Sequence, residues 1–220
     1  MTVLRKLMIV QWSGPLPDWT AKWIANADRV RDAGHGWDFL LDPDPDSIHR
    51  RIRGLGVTPP PLTGRKLCDY RPALGEMYAN DVAAYDFWGH TDLDCVYGPL
   101  WDYVTDELLA ETDVYSNDWE PRMCGPFSLY RTATASSVFR LDAGWRDIFE
   151  FPVHVAYDER GIAAALGKSG LRRTHRHFEG EDSMYVHFTS HPKTYPTDLS
   201  GWPWTAQDAV STPPMVEAAV

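Results

Sequence analysis

The sequence lacks the features that identify disulfide-stabilised, zinc-bound and membrane-spanning proteins. Its three cysteines, Cys68, Cys95 and Cys124, are odd in number, lie far apart and form no CxxC motif. A disulfide framework or a structural zinc site is therefore not expected, and we predict a protein of a reducing, cytoplasmic compartment. The one apolar run near the N-terminus is too short for a membrane span and lacks a small-residue cleavage site, so we interpret it as a core strand.

Basic residues are scarce relative to acidic ones. The 21 Lys and Arg residues against 31 Asp and Glu residues give a formal net charge of -10. This balance argues against non-specific binding to nucleic acid or to an anionic membrane, because both require a basic face. An anionic small molecule would need a locally positive pocket, supplied by a cation, a helix N-terminus or a few basic residues. No P-loop, kinase or nuclease motif is present.

The length of 220 residues suits one α/β domain. Apolar strand patterns alternate with helical ones, which predicts an α/β fold with three α/β/α layers around a mostly parallel sheet. Strands are predicted at 4–11, 37–41, 85–91, 114–117, 127–131 and 184–188, and helices at 18–30, 47–55, 66–78, 101–109 and 161–166. In such sheets ligands bind outside the carboxyl ends of the strands. We assign residues 1–196 to this domain and 197–220 to a tail that packs on it or is partly disordered.

The strongest chemical signal is the pair Asp92 and Asp94, one residue apart in a turn that follows an aromatic strand and closes at Gly98. Hard divalent cations such as Mg²⁺ or Mn²⁺ take oxygen ligands and often bridge carboxylates to substrate phosphates. A cation of this kind neutralises the charge that grows on a diphosphate leaving group. The pattern therefore predicts a metal site, and the alternative is a solvated turn, the commoner role for two aspartates in a loop.

The segments around this pair carry a resemblance. The chain has Lys-Leu-Cys-Asp-Tyr-Arg-Pro at 66–72, Asp-Phe-Trp-Gly at 86–89 and then the acidic pair. This order resembles that of a bacterial family of uncharacterised domains with a glycosyltransferase-like, GT-A-type fold. The resemblance implies a Rossmann-like GT-A fold and a Mn²⁺- or Mg²⁺-dependent transfer of a sugar. The implied donor is a UDP- or GDP-sugar, and the implied acceptor is a small molecule or a glycan.

The same resemblance implies roles for individual residues. Asp92 and Asp94 would hold the metal, and His187, in a late strand, would complete its shell. Asp158 and Glu159 match an element near the donor sugar and are the candidate bases if transfer inverts the anomeric carbon. The implied substrate contacts are Gln11, Trp12, Gly14, Asp42, Lys66, Asp69, Arg71, Thr91 and Lys193. The chain departs from the family at 125–131, where Pro126 replaces the His of a Gly-His-Leu-Thr-Leu-Tyr-Arg strand.

Other interpretations of these residues remain open. Lys66, Asp69 and Arg71 can form a structural ion-pair cluster, and acids such as Asp158 and Glu159 favour helix starts. At the level of function, the alternatives are metal-dependent phosphoryl or nucleotidyl transfer, and a non-catalytic protein that binds a saccharide or a protein partner. Stabilisation by UDP or GDP with Mn²⁺ would favour sugar transfer, and metal-independent binding of a free glycan would favour the non-catalytic class.

Overall fold

Strands and helices alternate along the chain, as the hydrophobic pattern predicts. A computed structural model describes residues 3–117 and 122–176 and the backbone of residues 185–187. The strands are β1 (Lys6–Gln11), β2 (Trp37–Asp42), β3 (Phe87–Thr91), β4 (Cys95–Tyr97), β5 (Val114–Ser116), β6 (Phe127–Arg131), β7 (Arg173–His175) and β8 (Tyr185–His187). The helices are α1 (Thr20–Asp32), α2 (Pro45–Gly54), α3 (Gly64–Cys68), α4 (Leu74–Met77), α5 (Ala79–Val82), α6 (Leu100–Tyr103), α7 (Asp106–Ala110), α8 (Thr132–Ala135), α9 (Trp145–Glu150) and α10 (Ile162–Leu166). Within the described ranges, every helix is too short or too polar to cross a bilayer.

Six strands form one sheet in the order β2-β1-β3-β6-β5-β7, and β4 pairs with β8 in a separate ladder. Strand β1 runs parallel to both β2 and β3, and β5 runs parallel to β7. Strand β6 is antiparallel to its neighbours β3 and β5. The carboxyl ends of β1, β2 and β3 therefore meet at one edge of the sheet, where Gln11 pairs with Asp42 and Asp92 follows β3.

Both faces of the sheet are covered by helices and turns. Alternate residues of a strand point to opposite faces, so Leu7 and Ile9 of β1 enter one apolar cluster and Met8 and Val10 enter another. Helix α1 packs on the second face, where its Trp23 is buried. Three layers around a mostly parallel sheet confirm the predicted fold class.

The helix predicted at 66–78, with a start or kink at Pro72, is divided around that proline. Helix α3 ends at Cys68, a tight 3₁₀ turn spans Arg71–Ala73, and α4 begins at Leu74. The cause is Pro72, which lacks an N–H group and disfavours helical conformation in the residue before it. Arg71 consequently lies in a turn between two short helices, where it can reach segments on either side.

Short polar side chains define the starts of other helices. The Asp44 carboxylate accepts a hydrogen bond of 2.9 Å from the backbone N–H of Asp46 at the start of α2. Thr63 caps α3 in the same way. Helix α1 begins at Thr20, two residues after its predicted start, and has no side-chain cap.

The centre of β3 requires a residue without a side chain. A Cβ atom on Gly89 would lie 2.4 Å from the carbonyl oxygen of Ser128 and 2.8 Å from a methyl group of Leu129. We expect Gly89→Ala to lower the free energy of unfolding by about 1–3 kcal/mol, because β3 and β6 would have to move apart. Denaturant unfolding measures the change. The control is Gly54→Ala in α2, where a Cβ atom meets nothing within 4 Å, and equal losses in both variants would contradict this packing.

Candidate functional site

The guanidinium of Arg71 joins two acidic segments at the carboxyl edge of the sheet. Its Nη2 donates to Oδ1 of Asp92, in the turn after β3. Its Nη1 donates to Oδ2 of Asp158 at 3.0 Å and to the carbonyl oxygen of Gly125 at 2.6 Å. The side chains of Arg71 and Asp92 are only 14% and 19% exposed. Three segments that are far apart in sequence therefore meet at one cation.

Burial and the neighbouring charges shape the ionisation of this group. Burial alone lowers the pKa of Arg71, but the carboxylates of Asp92 and Asp158 raise it well above its ordinary value, so the guanidinium stays charged. Burial raises the pKa of Asp158 to about 7, an effect larger than the lowering by Arg71, and Glu159 and Asp92 raise it further. Asp158 is thus an acid whose proton is exchangeable near neutral pH, a property typical of catalytic groups.

A second buried ion pair positions the segment that carries Asp158. Lys66 and Asp69 are 1% and 0% exposed, and their charged groups lie 3.0 Å apart. The Lys66 Nζ also donates to the carbonyl oxygen of Ile148 at 2.7 Å. The Asp69 carboxylate accepts the backbone N–H groups of Val155 and Tyr157. These contacts favour a structural role for the pair, because its polar atoms are directed at protein groups.

The backbone that delivers Asp158 has an unusual conformation. Ala156 has a φ angle of 55°, in the left-handed region that residues other than glycine rarely adopt. A π-helical turn, Tyr157–Gly161, follows it and contains both Asp158 and Glu159. Such backbone features cost free energy and cluster at functional sites. Here the two N–H groups bound by Asp69 flank Ala156 and stabilise its conformation.

A pocket opens beside Arg71 at the ends of β1 and β3. It has a volume of about 20 Å³ and is lined by Ile9, Gln11, Gly64, Leu67, Arg71, Leu74 and Thr91. Gln11 donates from Nε2 to the Tyr78 hydroxyl at 3.2 Å, and that hydroxyl donates to Asp42 at 2.6 Å. Gln11 and Asp42 were both predicted to contact substrate, and the structure brings them into one hydrogen-bonded group with Tyr78.

The acidic turn is largely enclosed. Asp94 is 4% exposed, and Thr91, before the turn, shares a hydrogen bond of 3.0 Å with the Tyr97 hydroxyl. In the β4–β8 ladder, the Cα of His187 is paired with that of Cys95, next to Asp94. The backbone of His187, the third predicted metal ligand, therefore lies beside β4, the strand that directly follows the acidic turn.

The remaining predicted residues lie around this edge or outside the described ranges. Trp12 is half-buried and donates from Nε1 to the carbonyl oxygen of Pro15, and Gly14 is exposed with a φ angle of 111°. A Cβ atom on Gly125 would lie 2.7 Å from Oε1 of Glu159, so this carboxylate packs against the loop before β6. Lys193 and the predicted tail, 197–220, lie outside the residues that the structure describes.

A second group of side chains offers metal-ligand atoms. One such atom from each of Asp69, His154 and Asp158 lies within 4.8 Å of the other two. The group is compatible with metal binding, but Asp69 already accepts hydrogen bonds from Lys66 and from two backbone N–H groups. A metal here would compete with those donors for the same oxygens.

Sequence analysis missed residues whose importance depends on tertiary contacts. His90 is buried beside the site, and its Nε2 lies 3.2 Å from the carbonyl oxygen of Cys124. Burial, and then Arg71, lower the pKa of His90 to about 3, so its ring is neutral at physiological pH. Tyr78 and the Gly125 carbonyl were also missed. The sequence has no signal for the left-handed conformation of Ala156, since alanine does not favour it.

A family model matches residues 55–194 of the 220-residue chain, and the family is described as a Family of unknown function (DUF6625). The chain belongs to this family. The matched region includes Arg71, Asp92 and Asp158, whereas Gln11 and Asp42 precede it. No curated protein matches the chain in sequence.

One solved structure similar to this family member is described as that of a glycosyltransferase involved in the glycosylation of the major capsid of PBCV-1. The two share 12% sequence identity with a TM-score of 0.53, and the match covers 83% of this chain and 95% of that chain. At this identity the likeness shows the fold alone. This member of the family therefore has a glycosyltransferase-like fold.

The metal-free protein should show a pH dependence of stability that originates at Asp158. Its pKa is raised from 3.8 to about 7 on folding, so the folded state binds this proton more tightly than the unfolded chain. The contribution of Asp158 to the free energy of unfolding should therefore fall as pH rises from about 4 to about 7. His90 acts in the opposite sense, since its lowered pKa means that stability is lost as pH falls below about 6.5.

The difference between wild type and Asp158→Asn isolates the first effect, because His90 is present in both proteins. Urea unfolding in the presence of a chelator, between pH 4.5 and 8, gives this difference. We expect the variant to gain stability relative to wild type as pH rises toward 7. A difference that stays constant over the range would contradict the raised pKa.

Proposed function

We propose that this protein is a metal-dependent glycosyltransferase that moves a sugar from a nucleotide diphosphate donor to an acceptor. The observation that carries the proposal is the Arg71 guanidinium, which joins Asp92 of the acidic turn to the buried acid Asp158. Sugar transfer requires positive charge at the departing diphosphate and an acid or base near the sugar. Both requirements have candidates at this edge of a glycosyltransferase-like sheet.

The charge balance at this edge suits a hard divalent cation. Arg71 contacts two carboxylates, and Glu159 lies close enough to raise the pKa of Asp158, so acidic groups outnumber the guanidinium. Carboxylate oxygens are the ligands that Mg²⁺ and Mn²⁺ prefer. We assign the cation to Asp92 and Asp94, with His187 as a third ligand. When bound, it supplies positive charge to the diphosphate.

The residues of the chain have complementary roles in this proposal. Arg71 orients Asp92 and can fork onto a phosphate oxygen, because a guanidinium offers five N–H donors. Asp158 has a pKa of about 7. Near neutral pH, one of its Oδ atoms can therefore accept a proton from the hydroxyl of the acceptor. Glu159 is the alternative base. The Lys66–Asp69 pair holds the turn that carries both acids, so its contribution is positioning.

The pocket beside Arg71 is the proposed nucleotide site. Its walls include the apolar side chains of Ile9, Leu67 and Leu74, and its polar lining includes Gln11 and Thr91. The pocket is small, so the nucleoside would lie over its mouth, where apolar side chains, polar groups and an adjacent cation suit a nucleoside that carries a diphosphate. A UDP- or GDP-sugar is therefore the proposed donor, and the acceptor is a small molecule or a glycan.

Loss of the acidic turn should abolish most turnover. We expect Asp92→Asn combined with Asp94→Asn to reduce the rate by at least ~100-fold, because charge stabilisation of several kcal/mol is removed from the leaving group. The measurement is Mn²⁺-dependent release of UDP or GDP from a panel of nucleotide sugars. Near-normal release by the double variant would contradict the metal assignment, and no release by wild type from any donor would contradict the proposed function.

Two control variants sharpen this experiment. Asp44→Asn combined with Asp46→Asn alters a second aspartate pair of the same spacing on an exposed turn, and asparagine still caps α2. Its turnover should match wild type. His154→Gln removes a ligand of the second acidic group, and it should leave the Mn²⁺ requirement unchanged. Loss of the Mn²⁺ requirement in His154→Gln would instead indicate that the metal binds at Asp69, His154 and Asp158.

A further inference from the structure

The loop before β6 carries a carbonyl oxygen that Arg71 contacts, and buried side chains hold this loop in place. The Nη1 of Arg71 donates to the carbonyl oxygen of Gly125 at 2.6 Å. In the preceding residue, the backbone N–H of Cys124 donates to Oγ of Ser116 at 2.7 Å. The carbonyl oxygen of Cys124 accepts from Oγ of Ser128 at 2.9 Å. The loop is therefore anchored to β5 and β6 on one side and to the guanidinium on the other.

His90 of β3 supplies a further anchor for the same loop. It is 1% exposed, and its Nε2 lies 3.2 Å from the carbonyl oxygen of Cys124. A carbonyl oxygen only accepts, so Nε2 must carry a proton and donate it. The ring also interacts with the backbone of Gly125. His90 thus contacts both residues of the loop, including the one whose carbonyl oxygen Arg71 contacts.

An imidazole is an unfavourable choice for this position on packing grounds alone. The His90 ring lies among aromatic side chains, with its centroid 6.0 Å from that of Tyr130, on which Trp88 stacks. Its Nδ1 is buried and has no hydrogen-bond partner among the residues that the structure describes. A buried nitrogen without a partner costs free energy, which an apolar side chain would avoid. What the imidazole offers in return is the Nε2 donor to the loop.

We infer that His90 is a positioning residue for Arg71. By holding the backbone of Cys124 and Gly125, it directs the Gly125 carbonyl oxygen at Nη1 and keeps the guanidinium between its two carboxylates. The peptide unit that joins the two loop residues is planar, so a donor that fixes the carbonyl group of Cys124 also fixes the plane that leads into Gly125. The consequence for sugar transfer rests on the proposed function, in which this guanidinium orients the acidic turn.

The ionisation of Asp158 reports where the guanidinium lies. Burial raises the pKa of Asp158 to about 7, and Arg71 opposes this rise. A guanidinium that turns away would therefore leave the pKa higher still. A substitution at His90 leaves the other titratable groups around this carboxyl in place. They are Glu159, Asp92, Asp69, His154, Cys68 and Tyr130.

Three substitutions at His90 separate the Nε2 donor from the volume and polarity of the ring. His90→Gln places an amide N–H near the position of Nε2, whereas the shorter side chain in His90→Asn does not reach the loop. His90→Phe fills the space of the ring without a donor, and it keeps the test available where His90→Asn does not fold. Each variant is paired with the same variant that also carries Asp158→Asn.

Urea unfolding in the presence of a chelator, from about pH 4.5 to about pH 9, gives the contribution of Asp158 in each pair. This contribution is lost as pH rises from about 4 and levels off at the pKa of the folded state. We expect it to level off about one pH unit higher in His90→Asn and His90→Phe than in wild type, because the guanidinium is less well placed. In His90→Gln it should level off at the wild-type pH.

Thr112→Val is the control for a loss of stability alone. The buried Thr112 hydroxyl donates to the carbonyl oxygen of Leu108 at 2.7 Å, before β5 and at the opposite edge of the sheet. Its removal should lower the free energy of unfolding and leave the pKa of Asp158 unchanged. The same result in His90→Asn and His90→Phe would overturn the inference, since His90 would then act through packing only. An equal pKa shift in His90→Gln would also overturn it.

Turnover gives a second readout that separates this inference from the proposed function. The acidic limb of the pH dependence of kcat/KM should move to higher pH in His90→Asn and return in His90→Gln. An unmoved limb in His90→Asn would contradict a role for His90 in positioning the site. Absence of turnover by wild type with every donor would overturn the proposed function, whereas the unfolding experiment would still decide whether His90 positions Arg71.

Discussion

The site depends on one guanidinium shared by two carboxylates. Arg71 bonds to Asp92 and Asp158 and also to the carbonyl oxygen of Gly125. In a largely buried setting these contacts are strongly coupled, because removal of the guanidinium would take away the positive charge that Asp92 and Asp158 share. The interaction therefore sets the relative positions of the acidic turn, the loop before β6 and the π-helical turn. It also leaves the edge with an excess of negative charge that a divalent cation can offset.

Around this interaction, two other groups of side chains hold neighbouring polar groups in place. The Lys66–Asp69 pair is wholly enclosed and holds the backbone before Asp158. At the ends of β1 and β2, Asp42 accepts from the Tyr78 hydroxyl, which in turn accepts from the Gln11 amide. In both cases a buried charge fixes a neighbouring polar group through hydrogen bonds that have only one possible direction. Such preorganisation is what a site requires when charge develops on a leaving group.

The sequence predicted those features that depend on local pattern. The alternation of apolar strands and amphipathic helices was enough for the three-layer α/β fold, and it placed Asp42 and Asp92 at strand ends on one edge. Features set by tertiary packing were not predictable in this way. The burial of Lys66 and Asp69, the left-handed Ala156 and the contacts of Tyr78 and His90 arise from segments that are distant in sequence. The antiparallel β6 was also not predicted, because a strand's direction leaves no trace in its periodicity.

The most direct test of the account is the position of a bound cation. A crystal of the protein grown with Mn²⁺ and UDP or GDP should show an anomalous-scattering peak about 2.0–2.3 Å from carboxylate oxygens of Asp92 and Asp94. Diphosphate oxygens should complete its coordination, with Arg71 still beside Asp92. A peak confined to Asp69, His154 and Asp158, or a nucleotide bound away from Arg71, would contradict the account.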